Sequence, residues 1–254
     1  MEVILVLLAT ILPPICWIAV CYWWDRGEPE PKLLTAKLFL SGMLMGFFIA
    51  GALMLFQVIF VTSGTFLPFN ALSEKDSLAS FFIASAFVAV THTYITLVLA
   101  RKLVAKERSF SQVVDGIVYF SIIALGAGLT ENILFCINYF STTNEPKESI
   151  PFLIFSLIFK SVLLGVSAGI VGFAFGNIYK RALEDGRIEK WELKTSWKNP
   201  EIMEGLAVAI LLHTAYQVFI YLKEPRIAGI IVIVGFFYIF SRFSIRALTT
   251  NIQE

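Results

Sequence analysis

Long apolar runs alternate with short charged stretches along the whole chain. Seven runs stand out, at approximately 3–24, 35–61, 78–100, 113–140, 150–179, 203–222 and 227–245. Each approaches or exceeds the roughly 20 residues that carry a helix across a hydrocarbon core. None alternates with the two-residue period of a barrel strand, and a helix satisfies its own backbone polar groups in lipid. The pattern predicts an all-α fold, a polytopic transmembrane helical bundle of about seven spans forming one membrane domain over 1–254.

Charge placement adds an orientation. Lys and Arg concentrate in the first loop (Arg26, Lys32, Lys37), the third (Arg101, Lys102, Lys106, Arg108), the fifth (Lys180 to Lys198) and the tail (Arg242, Arg246). The second and fourth loops carry one each, Lys75 and Lys147, and the sixth carries Lys223 and Arg226. Positive residues mark cytoplasmic loops, so the N-terminus is expected outside and the C-terminus in the cytoplasm. The first run lacks a basic leader before it, which predicts a retained span rather than a cleaved signal.

Composition agrees. The chain is 57% hydrophobic and 15% charged, with a mean hydropathy of +0.78. Soluble domains run nearer 45–50% apolar and about 25% charged. The expected partner is the lipid bilayer. A net charge of +1 with no basic aromatic patch points away from nucleic acid. Cys16, Cys21 and Cys136 all lie in apolar runs without CxxC spacing and read as packing residues. Gly42, Gly46 and Gly51 punctuate the second run and Gly165, Gly169, Gly172 and Gly176 stripe the fifth, which predicts close helix packing.

Polar groups inside apolar runs are the candidate chemistry, because ionisable residues at membrane depth are costly and by default functional. His92 lies mid-run in the third helix and His213 mid-run in the sixth; Asp115, Glu131 and Asn132 lie in the fourth. Two imidazoles and a carboxylate form a donor set that zinc accepts, so His92, His213 and Glu131 are candidate metal ligands. Glu131 and Asn132 are candidate catalytic groups. By rise per residue, Glu131 is about 27 Å from Val113 at the cytoplasmic end of its helix, whereas His92 is about 13 Å from Arg101 and His213 about 15 Å from Met203 on that same side. The three meet only if the fourth helix starts late, tilts or breaks near Gly126 and Gly128. Asp115 is expected to cap its helix.

Several of these stretches, taken in order, resemble the PrsW-type intramembrane proteases, bacterial polytopic proteins related to the CAAX-prenyl-protease and bacteriocin-processing group. DRGEPEP (Asp25–Pro31, with Asp25 and Glu28) resembles that family's acidic turn. VVDGIVYF and LTENILF resemble its Asp-Gly and Glu-Asn pair, GFAFG its glycine helix, and HTAYQ its final motif with His213 and Tyr216. The resemblance implies a multipass protein of the bacterial cytoplasmic membrane acting on membrane-anchored proteins. It also implies a pair of glutamates and a lysine where this chain has Thr91, His92 and Ile95, a histidine near Leu164, and an Asp at Gln217. These departures predict a non-catalytic or atypical relative that binds membrane-embedded partners in its helical groove. The alternative is an active protease, with or without a metal, that uses Glu131, His92 and His213. Transport is the third reading.

Overall fold

The computed structural model describes residues 2–24, 31–60, 78–104, 110, 112–142, 150–184 and 199–250. It contains seven helices: α1 (Glu2–Trp24), α2 (Lys32–Phe60), α3 (Leu78–Val104), α4 (Val113–Thr142), α5 (Ile150–Glu184), α6 (Pro200–Tyr221) and α7 (Pro225–Thr250). All seven are long and apolar enough to cross a membrane. Each apolar run becomes one helix, and the observed helices extend the predicted runs into their polar flanks.

The helix ends have local causes. α4 begins at Val113 because Asp115 accepts a hydrogen bond from the Gln112 backbone N–H at 2.7 Å, the returning half of a capping box. α6 starts at Pro200, whose missing N–H is harmless in the first turn, with Asn199 as N-cap accepting from Glu201 N at 2.9 Å. α6 closes with a Schellman turn. Lys223 takes φ 57°, and Lys223 N and Glu224 N donate back to Ile220 O and Phe219 O. Pro225 then opens α7 at once.

α4 is the axis of the bundle. Of its 113–137 stretch 89% is buried, against 28% for α1 and for α7. It packs chiefly against α5 and α2, and α6 bridges α3, α5 and α7. Glycine permits these approaches. A Cβ on Gly42 would lie 2.0 Å from the Ile123 carbonyl oxygen, and one on Gly126 would lie 2.2 Å from that of Phe39, so α2 and α4 touch backbone to backbone. Gly116 and Gly172 do the same for α4 and α5, at 2.2 and 2.1 Å from each other's oxygens. Gly51 is different: nothing lies within 4 Å of its would-be Cβ, so its presence in the glycine series does not mark a contact. Lipid-facing sides of α1, α2 and α7 carry exposed side chains such as Ile4, Phe48 and Phe237.

Candidate functional site

Around the middle of α4 the bundle closes on a polar cluster drawn from four helices. Glu131, on α4, points one carboxylate oxygen at α5 and the other at α3. Its Oε2 lies 3.0 Å from Lys160 Nζ, and its Oε1 lies 3.7 Å from His92 Nε2. The His213 ring, from α6, packs edge-on against His92 with centroids 5.7 Å apart. Glu131 and Lys160 side chains are 11% and 12% exposed, and both histidines are buried.

α4 reaches this cluster without starting late or breaking: it is continuous through Gly126 and Gly128. The depth mismatch narrows to about 9 Å when measured from the opposite face, where α4 ends and α5 begins. From there Glu131 and Lys160 are each about 15 Å along their helices, His213 about 12 Å and His92 about 21 Å. The ends used for the sequence estimate are ragged, because α3 runs on to Val104 and α6 starts at Pro200.

The remaining candidates separate from this centre. Asn132 turns toward α5, where Nδ2 donates to Ser161 Oγ at 3.0 Å and approaches Leu157 O at 3.4 Å. Tyr216 donates to the Ser156 carbonyl at 3.0 Å, tying α6 to α5. Asp115 stays at the start of α4 as its cap. Asp25 and Glu28 lie outside the described residues. Gln217, one turn beyond His213, donates its amide to His213 Nε2 at 2.9 Å. That contact leaves the imidazole proton on Nδ1.

Lys160 is the residue that sequence reasoning missed. It is the sole charged residue between Ile150 and Tyr179. A lone cation that deep in a span carries the same signal as Glu131 does.

Three atoms facing the centre lack hydrogen bonds: His92 Nε2, Glu131 Oε1 and His213 Nδ1 are buried with no partner. Leaving such groups unpaired costs about 1–3 kcal/mol each. A cluster that served packing alone would satisfy them, so unpaired groups of this kind ask for an explanation.

A family model for PrsW family intramembrane metalloproteases matches residues 40–242, spanning α2 to α7. The chain belongs to the PrsW family. No curated protein and no solved structure matches it. The family's description names a metal; His92 Nε2 and Glu131 Oε1 are of the type that would ligate one, whereas His213 Nδ1 carries the ring proton. The residues present do not fit a metal. Among the described residues no three His, Cys, Asp or Glu side chains are grouped to hold an ion. The Lys160 ammonium also occupies Glu131 Oε2 with a positive charge, and a cation there opposes a second one.

Proposed function

We propose that this PrsW-family protein is an atypical intramembrane peptide hydrolase in which Glu131 is the general base. The observation that carries this reading is the facing pair Glu131 Oε1 and His92 Nε2, 3.7 Å apart, buried and unpaired, while Lys160 balances the acid through its other oxygen. A general base must be a carboxylate within reach of the proton it takes. Lys160 pairs with Oε2, which leaves Oε1 for water. His92 lies where it can hold that water, or pass the proton onward to the leaving amine. His213, oriented by Gln217, presents Nδ1–H as a donor to charge that develops on a carbonyl oxygen. No step in this scheme passes through a metal.

The substrate class follows from the location. A site within the membrane-spanning part of the bundle suits a membrane-anchored segment. On this reading the protein lies in a bacterial cytoplasmic membrane as one membrane domain, with its N-terminus outside and its C-terminus in the cytoplasm.

A second reading rests on a different observation. Lys160 already pairs with Glu131, and the void beside His92 is no larger than a water molecule. Such a centre also suits a non-catalytic relative that docks a partner's transmembrane segment. Cleavage of membrane-anchored peptides by purified protein separates the two readings. Cleavage by the native chain that is lost in Glu131→Gln supports the hydrolase. No cleavage by either form, with peptide still bound by the native chain, supports the docking relative.

A further inference from the structure

A small void lies between α3 and α5 on the flank of His92. Its volume is about 10 Å³, and it is lined by His92, Thr93, Thr96, Ser167, Ala168 and Val171. That is room for a water molecule. Void size alone decides little, since apolar voids of this kind stay dry.

The hydroxyls decide it. Serines and threonines in transmembrane helices commonly return their proton to the carbonyl one turn back. Thr10, Ser156 and Ser161 do so in this bundle, at 2.8, 2.8 and 3.0 Å. Ser167 does not. Its Oγ is buried, has no hydrogen-bond partner, and belongs to a side chain that borders the void. Among the described residues Thr96 Oγ1 is engaged with Met45 Sδ, at 3.9 Å, as donor, and retains free lone pairs. Thr93 offers a third hydroxyl. A buried water needs two to four polar partners, and α3 and α5 supply them around this one void.

We propose that the void holds one structural water, hydrogen-bonded by Ser167 with Thr93 and Thr96, which ties α3 to α5 and fixes the His92 imidazole facing Glu131. Ser167 is then a positioning residue acting on His92 through the water. Nothing in this inference depends on whether peptide bonds are cut.

Ser167→Ala tests it by the sign of its effect. Alanine is the better helix former, so if the void is dry the substitution removes an unsatisfied hydroxyl and raises the unfolding midpoint in detergent. If water is bound, the substitution breaks a hydrogen bond in a low-dielectric site and lowers the midpoint. A lower midpoint is the expected result, and an unchanged or raised one overturns the water. The positioning role has its own readout in the side-chain nitrogen resonances of the two histidines, assigned with His92→Gln. Ser167→Ala is expected to shift the His92 signals and leave those of His213 in place. Unmoved His92 signals, in a variant whose midpoint has fallen, overturn the link to His92.

Discussion

The Glu131–Lys160 pair governs the energetics at the residue scale. Both side chains are almost wholly withdrawn from solvent, and they meet at 3.0 Å. A buried ion pair contributes little net stability, but removing one partner strands the other charge at a cost of about 3–5 kcal/mol. Lys160→Met is therefore expected to destabilise the protein by about that amount, and Glu131→Gln with Lys160→Met together by much less. Denaturant midpoints in detergent for the two singles and the double check it. A double whose loss equals the sum of the two single losses would show that the two side chains are not coupled. The parts of this site were legible as solitary polar letters within apolar runs, and Lys160 was as visible as Glu131. Their convergence was not legible. Distance along a helix fixes depth only from an end whose level is known, and the ends facing the third and fifth loops are uneven. Nor does a sequence show which oxygen of Glu131 faces which helix.

Glycine spacing at the element scale predicted close packing, and the structure divides those glycines by what each meets. Gly116 and Gly172 face each other's carbonyls on α4 and α5. Backbone cannot yield as a flexible side chain can, so Gly172→Ala must part the two helices. Overpacking of this sort costs about 1–3 kcal/mol. Gly51→Ala meets open space and is expected to be neutral, or stabilising by about 0.5–1 kcal/mol from helix propensity. Thermal unfolding of the two variants side by side tests the division; equal losses would contradict it. Helix number and order were readable because lipid imposes one length and one backbone solution on every span. The α6 end was read to within one residue, although its closing turn places Lys223, not glycine, in the left-handed conformation. Lys223→Gly should relieve about 1 kcal/mol of that strain, a gain readable in the same unfolding assay.

Orientation is a property of the whole molecule, and it decides on which side of the membrane the polar cluster opens. The cluster is about 12–21 Å from the face where α4 ends and α5 begins. α5 continues from Lys160 to Glu184, about 36 Å further, so the cluster lies in the half of the bundle nearer the end of α4 and the start of α5. The opposite end carries paired charges. Arg181 meets Glu201 at 2.5 Å, and Arg242 and Tyr238 both reach Glu204. Exposed pairs of this kind contribute about 0–1 kcal/mol, so they mark a wetted face more than they hold it together. On the orientation proposed from the Lys and Arg bias, that wetted face is cytoplasmic and the cluster lies in the outer half of the membrane. Single cysteines test the assignment in a chain whose Cys16, Cys21 and Cys136 are replaced. Lys223→Cys sits on the exposed α6–α7 turn and Glu184→Cys at the exposed end of α5. In intact cells a membrane-impermeant maleimide is expected to label the first and to reach the second only after lysis. The reverse pattern would put the cluster in the cytoplasmic half, and any segment that Glu131 acts on would then be cut near its cytoplasmic end instead of its outer one.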